Sequence, residues 1–359
     1  MMHNRALAEQ IAQKSRQLGF DLIGIAPAVR PKEAAFYRQW LEKGFAGEMA
    51  YMSRHIEKRE DCRLLFPPAR SIIVCGMSYH PGKAISPHVP VFITGKDEKP
   101  GRATGYIAAY ARGDDYHDYL KSRLFSLLDF IRQESDLPVN AKVCVDTAPL
   151  LERLHAYYAG LGWIGKHGGL IHPRYGSWFF LGEILVDLDL PYNSPQADRC
   201  GECRRCLDAC PSGALLGPRL LDARRCLSYL TIEYHGTIPN ALRPALGNAV
   251  FGCDRCQSVC PWNRAASPGR ADAFLPRKGL LAPGLDQLAA ISQEDFSRLF
   301  RNSPLKRTQL QGLLRNTAVA IGNSGDPALL PSLKSLHERA DELVRPHSAW
   351  ALRLLEKAS

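Results

Sequence analysis

Nowhere in its 359 residues does the chain carry 18 consecutive apolar residues, so no membrane-spanning helix is expected. The first 30 residues hold neither a secretory apolar core nor a twin-arginine pair. The expected location is therefore the cytoplasm, where disulfides are disfavoured. The C-x3-C-x2-C spacing of S-adenosylmethionine radical chemistry is missing. A dinucleotide fingerprint is poorly supported, because the glycine-rich stretch Gly160 to Gly169 does not follow a first strand. Acidic residues are absent from Phe296 to Gly325, while Arg298, Arg301, Lys306, Arg307 and Arg315 give five positive charges.

What the chain does have is cysteine in a pattern. Eight of its eleven cysteines lie between Cys200 and Cys260. The run Cys200-Gly-Glu-Cys203-Arg-Arg-Cys206-Leu-Asp-Ala-Cys210-Pro211 has the spacing C-x2-C-x2-C-x3-C-P of bacterial ferredoxins. In that pattern three cysteines hold one cubane and the fourth reaches across to a second. The closing run Cys253-Asp-Arg-Cys256-Gln-Ser-Val-Cys260-Pro261 is one cysteine short of a repeat, and Cys226 supplies it. This assigns Cys200, Cys203, Cys206 and Cys260 to one 4Fe-4S cluster, and Cys210, Cys226, Cys253 and Cys256 to the other. Zinc knuckles tolerate C-x2-C pairs but have no reason to repeat x2, x2, x3, Pro. Cys62, Cys75 and Cys144 read as structural, the last two packed in apolar strands.

The length accommodates two or three domains. A helix is expected over residues 4 to 19, stopped by Gly19, then a strand from Phe20 to Ala26. A helix around Glu33 to Glu42 follows, and Ser71 to Cys75 is a buried strand. Pro81 to Gly105 reads as a loop. A long amphipathic helix is expected to end near Ser135, and Val143 to Val145 is a further strand. Thr147 is placed to cap the next helix, with Pro149 and Glu152 in its first turn. Trp178 to Leu188 is another strand. The alternation indicates an α/β domain on a mixed sheet over residues 1–190. A two-cluster segment spans 191–268 and a helical region 269–359. In the last, Arg315 to Gly322 and Arg345 to Leu352 resemble each other at the spacing of helical-pair repeats, and two units are few enough to need docking on the rest.

Asp146 stands at a strand end, before a helix and near a glycine-rich loop, where α/β folds place ligands. Read alone it is a turn or capping residue. Read as a proton donor it needs a raised pKa. Asp115-Tyr-His117 begins like the Asp-x-His-x-x-Gly motif of some cobalamin proteins, but Leu120 stands where the glycine belongs. His117, His155, His167 and His172 read mostly as surface or packed histidines. The basic run is either a solvated helix face, the commoner outcome, or a phosphate track. A net charge of +10 leans mildly toward polyanions.

Taken together, Tyr110-Ala-Arg-Gly-Asp-Asp-Tyr-His117, Val145-Asp-Thr-Ala-Pro-Leu-Leu-Glu-Arg153, Ala159-Gly-Leu-Gly-Trp-Ile-Gly-Lys-His167, Asp222 to Glu233, the eight cysteines, Cys260-Pro-Trp-Asn-Arg264 and Arg315-Asn316 carry a family resemblance. Over nearly its whole length the chain resembles the epoxyqueuosine reductases, cobalamin-dependent iron–sulfur enzymes of queuosine tRNA modification. The resemblance implies an N-terminal cobalamin-binding domain, a ferredoxin-like domain with two 4Fe-4S clusters, and a C-terminal HEAT-like helical domain. It implies cobalamin without a protein histidine on cobalt, and Asp146 as proton donor. Arg59 and the loop from Lys166 through His167 to Leu170 match stretches that line the corrinoid. The implied substrate is a tRNA anticodon stem-loop, held by basic residues such as Lys306, Arg307 and Arg315. An external low-potential donor would supply electrons, and the expected state is a monomer. The rival readings are a corrinoid reductive dehalogenase, which needs no basic run, and an electron-carrier subunit, which leaves residues 1–190 unexplained.

Overall fold

A computed structural model describes residues 2–80 and 103–358. Most of the expected Pro81 to Gly105 loop lies outside the described residues. Four strands form the central sheet in the order Leu22–Pro27, Ser71–Ser78, Phe179–Val186, Ala141–Cys144. All three pairings are antiparallel, which corrects the expected mixed sheet. Strand–helix alternation does not encode the end of the sheet at which the chain re-enters. Here the excursion between the first two strands leaves and returns at the same end, with Pro27 opposite Ser71, and such a return makes neighbours antiparallel.

Ser71–Ser78 is buried along its whole length, as the apolar run predicts for Ser71 to Cys75, and the strand continues through Gly76, Met77 and Ser78. One face of the sheet, with Ile25, Ile73, Cys75 and Ile184, packs under the helices Met2–Gln17 and Tyr116–Glu134 through Leu7, Ile11, Leu120 and Leu124. The other, with Leu22, Ile72, Val74 and Leu185, packs under Ala156 and Ala159 at the helix Glu152–Tyr158. The period-two split of one strand between two cores makes the domain three layers deep. Gly24 is required at that second interface, because a Cβ there would lie 2.0 Å from the Ala159 carbonyl oxygen.

Asp115 caps the long helix, its carboxylate accepting the His117 backbone N–H. Thr147 caps nothing. Its hydroxyl donates back to the Val145 carbonyl, and the helix begins five residues later at Glu152. The cluster segment is tied to the first domain where Ala249–Phe251 runs parallel to Tyr106–Ile107. The helix Gln309–Ser324, buried along most of its length, lies against Ala249–Phe251 and the helix Arg345–Ala358. The expected docking of the C-terminal helices is therefore seen. One hydrophobic core runs from Ile107 through Val250 to Leu313, crossing both expected boundaries.

Candidate active site

Asp146 follows the strand Ala141–Cys144 with φ +54°, a left-handed turn that aspartate tolerates better than most residues. Its backbone N–H donates to Glu152 Oε1 at 2.6 Å. Its Oδ2 accepts from the Tyr116 hydroxyl at 2.8 Å and pairs with His117 Nε2 at 3.1 Å. The other ring nitrogen of His117 meets Asp115 Oδ1 at 2.7 Å. Tyr116 is itself held flat on Phe180, centroids 4.2 Å apart. Asp146 is 49% exposed at its side chain, so one side of this network stays open.

Charge is distributed unevenly in the network. Burial alone would lower the His117 pKa, but its hydrogen bonds to Asp115 and Asp146 raise it to about 9. Burial would raise Asp146, yet the hydrogen bonds from His117 and Tyr116, with the charges of His117 and Arg307, hold it below its ordinary value. At neutral pH the proton therefore sits on His117 and Asp146 is ionised. The expectation of a raised Asp146 pKa is corrected: the cation beside it outweighs its burial. Glu152 differs, since burial, Glu183 and Asp146 push it well above the carboxylate range.

Asp146 and Glu152 lie on the wall of a cavity of about 850 Å³. Phe36, Tyr37, Trp40, Leu150, Leu151 and Tyr157 give the wall its apolar surface, and Arg59, Arg153, His167 and Gln196 add polar groups. Three of its lining donors are buried without an acceptor: Arg59 Nε, Trp163 Nε1 and His167 Nε2. The tautomer of His167 is set, because its Nδ1 accepts the Gly169 N–H. Burial keeps the ring neutral, with a pKa lowered to about 4, so Nε2 carries the hydrogen and has no lone pair for a metal. Buried donors without partners are costly, and an occupant bearing acceptor groups would satisfy them.

The cysteines gather as two quartets. Cys260, raised by burial, also feels Cys200 and Cys203, and Cys206 feels Cys260 and Cys200. Cys226, half-buried, feels Cys210, while Cys253 feels Cys226, and Cys256 feels Cys253, Cys226 and also Cys206 of the first set, so the two sets adjoin. Among the described residues no three His, Cys, Asp or Glu side chains stand close enough to grip one ion together. A four-iron cubane spaces its thiolates around a larger core. Trp163 joins the first quartet to the cavity: it lines the cavity, packs with Cys200 and Cys260, and meets Trp262 edge-on at 5.0 Å.

Residues 199–263 match the family model "4Fe-4S double cluster binding domain", and residues 59–147 match "Epoxyqueuosine reductase QueG, DUF1730". The chain is 43% identical over 351 residues to an epoxyqueuosine reductase of Pseudomonas aeruginosa, covering 97% of this chain and 94% of that protein. The chain belongs to the epoxyqueuosine reductase family. Among solved structures, an epoxyqueuosine reductase with an epoxyqueuosine-modified tRNA-Tyr stem loop is similar at TM-score 0.81 and 28% identity, covering 98% of this chain and 99% of that one. The Bacillus subtilis epoxyqueuosine reductase is similar at TM-score 0.80 and 27% identity, covering 98% and 99%, in a structure whose catalytic aspartate loop is swung out of the active site.

Among the residues that the sequence singled out, the cavity brings together Asp146, Arg59 and His167. Lys166 points away from it, its Nζ donating to the Gly201 carbonyl at 2.5 Å beside the first quartet. The Leu170 side chain is buried in the core under the sheet, so only its backbone is left for a ligand. Arg307 lies over the Tyr51 ring at 5.4 Å and pairs with Glu233, near enough for its charge to act on Asp146. Lys306 is exposed. Arg315 is 0% exposed, and its guanidinium donates to the carbonyls of Leu230, Tyr234 and Gly236. It cannot meet tRNA, and its expected role is withdrawn: its charge is spent closing the ends of chain segments in the cluster region. The reading of His117 as a surface or packed histidine is corrected, since it pairs with Asp146; Glu152 was expected only in a helix first turn, and Tyr116 was given no role. All three lie in motifs that carry the family resemblance, which was the available signal.

Proposed function

We propose that this chain removes the epoxide oxygen of epoxyqueuosine at the wobble position of tRNA, giving queuosine. The observation that carries the reading is one cavity with a loaded acid network on one wall and a cysteine quartet behind another. The reaction converts an epoxide to an alkene and water, consuming two electrons and two protons.

The lining of the cavity supports cobalamin as its occupant. The apolar wall suits a flat macrocycle, and the three unpartnered donors of Arg59, Trp163 and His167 suit its peripheral amide and phosphate acceptors. When bound, cobalamin supplies a strongly nucleophilic reduced metal, and two 4Fe-4S clusters supply its electrons singly. The chain's own residues do the rest. Cys200, Cys203, Cys206 and Cys260, the set that packs with Trp163, would hold one cluster, and Cys210, Cys226, Cys253 and Cys256 would hold the other. Trp163 fills the space between the first quartet and the cavity, which keeps water out of that path. As the epoxide C–O bond breaks, negative charge grows on oxygen, and Asp146 delivers the proton that His117 stores. Tyr116 fixes the carboxylate and Asp115 keeps His117 charged.

Lys306 and Arg307 face the anticodon stem, a placement supported by exposure and by the nearness of Arg307 to the Asp146 end of the cavity. The wobble base would leave its stack to enter the cavity. The chain is read as a cobalamin-binding domain over 1–190, a ferredoxin-like domain over 191–268 and a HEAT-like domain over 269–359. It works as a cytoplasmic monomer with an external low-potential donor. No described helix is long and apolar enough to cross a membrane.

The test is anaerobic. The chain is loaded with iron, sulfide and cobalamin, reduced, and given tRNA carrying epoxyqueuosine, and the digested nucleosides are weighed. Loss of one oxygen that requires both cofactors is expected. No loss with both cofactors bound would move the reading to a different corrinoid substrate.

A further inference from the structure

We propose that Glu152 is the positioning residue for the acid, holding the Asp146 turn by its backbone so that the carboxylate stays on His117 and Tyr116. The inference deepens the proposed function and rests on the placement of Asp146 in that reading.

Asp146 is bound to the rest of the protein at three points among the described residues: its side chain to Tyr116, its side chain to His117, and its N–H to Glu152. The first two bonds hold the end of the side chain and leave the backbone free to turn. The backbone needs holding, because a non-glycine residue at φ +54° is disfavoured unless its surroundings impose it. Neighbouring bonds do not reach outward: Thr147 N–H returns to the Val145 carbonyl and Leu150 N–H to the Ala148 carbonyl. Val145 and Leu150 anchor the ends of the turn in the two cores, and among the described residues Glu152 is the hydrogen-bond partner that ties the Asp146 backbone itself to a rigid element. It opens the helix Glu152–Tyr158, which packs its buried His155 and Ala156 against the sheet.

The chemistry of the pair suits this role. A carboxylate at Glu152 would set a second negative charge beside Asp146 and drive the turn away. Burial and the neighbouring Glu183 and Asp146 favour the neutral form of Glu152, and a neutral carboxyl still accepts an N–H through its carbonyl oxygen. Glu183, fully buried behind it on the central sheet, is engaged with His155 Nδ1 at 3.1 Å. The role thus needs an acceptor of glutamate length and does not need an acid.

Two variants separate these properties. Glu152→Gln keeps the reach and the acceptor without the acid, and Glu152→Asp keeps the acid but draws it back by one methylene. Each is made in the cluster-loaded full chain. His117 is titrated by NMR with labelled histidine, and single turnover is followed with an epoxyqueuosine stem loop. Glu152→Asp is expected to lower the His117 midpoint by about one pH unit or more, as one of its two carboxylate partners leaves. Its turnover rate should fall by about 100-fold, the cost of a small misplacement, with KM for the stem loop unchanged. Glu152→Gln is expected to keep the wild-type midpoint and to stay within about fivefold of the wild-type rate. The proposal is overturned if Glu152→Asp matches wild type in both readouts. It is equally overturned if Glu152→Gln is as impaired as Glu152→Asp, which would make the proton of Glu152 the working part. If wild-type protein removes no oxygen, the proposed function fails, and the His117 midpoints still decide the role of Glu152.

Discussion

Replacing His117 with asparagine tests where the proton is kept. With its pKa near 9, His117 is about 97% protonated at pH 7.5, and Asp146 draws on a store that is nearly full. His117→Asn keeps a hydrogen-bond donor toward Asp146 and removes the titrating group. Asp146 must then be its own acid. At an ordinary aspartate pKa of about 3.9, only about one molecule in 4,000 is protonated at pH 7.5. Burial opposes ionisation and Arg307 favours it, so the expected loss lies between about 10²- and 10⁴-fold, the range of general-acid contributions. The shape of the profile is more telling than its height. Wild-type rate should be flat through neutrality and fall as pH rises through about 9. The variant should gain about tenfold for each pH unit of acidification between 7.5 and 5. The assay is single turnover with pre-reduced, cofactor-loaded protein, quenched and weighed for oxygen loss. A flat profile in His117→Asn, or a loss under about tenfold at pH 7.5, would refute the relay.

Arg315→Ala is expected to destabilise the protein by about 3 kcal/mol or more, because it strands the buried Leu230 carbonyl and the part-buried carbonyls of Tyr234 and Gly236 and empties a fully buried side-chain site. Urea denaturation measures this; an unchanged midpoint with weakened tRNA binding would restore the phosphate role. Lys306→Glu should leave folding intact and weaken stem-loop binding, flattening its salt dependence by about one counterion or more. Cys226→Ala should remove one cluster, so iron analysis should find about four irons fewer per chain, while cobalamin binding persists. His117 also links pH to stability: its raised pKa stabilises the fold fully below about pH 6.5, and on the order of 2 kcal/mol is lost as pH rises through about 9. Thermal melts of wild type and His117→Asn should converge at high pH.

Legibility in the sequence followed the range of the interaction. The buried strand from Ser71 to Cys75 was readable because a continuous apolar run needs cover on both faces wherever it lies. The helix Tyr116–Glu134 was readable from its period, while Asp115 as its cap was seen only in the fold. Arg315 was misread, since an arginine in a basic run looks the same whether solvent or three carbonyls receive it. Thr147 was misread because the left-handed turn at Asp146 moves the helix start to Glu152.

The amino-acid sequence by itself determined the two-cluster cysteine pattern, most of the long helices and central strands, and the family, because these depend on spacing between near neighbours and on motifs that survive intact along the chain. The tertiary structure alone decided the antiparallel direction of the sheet, the burial of Arg315, and the transfer of the stored proton from Asp146 to His117. Each depends on residues far apart in the chain meeting in space. Asp146 and His117 are 29 positions apart, and their pKa values belong to the pair, the cavity and the Arg307 charge that folding brings beside them.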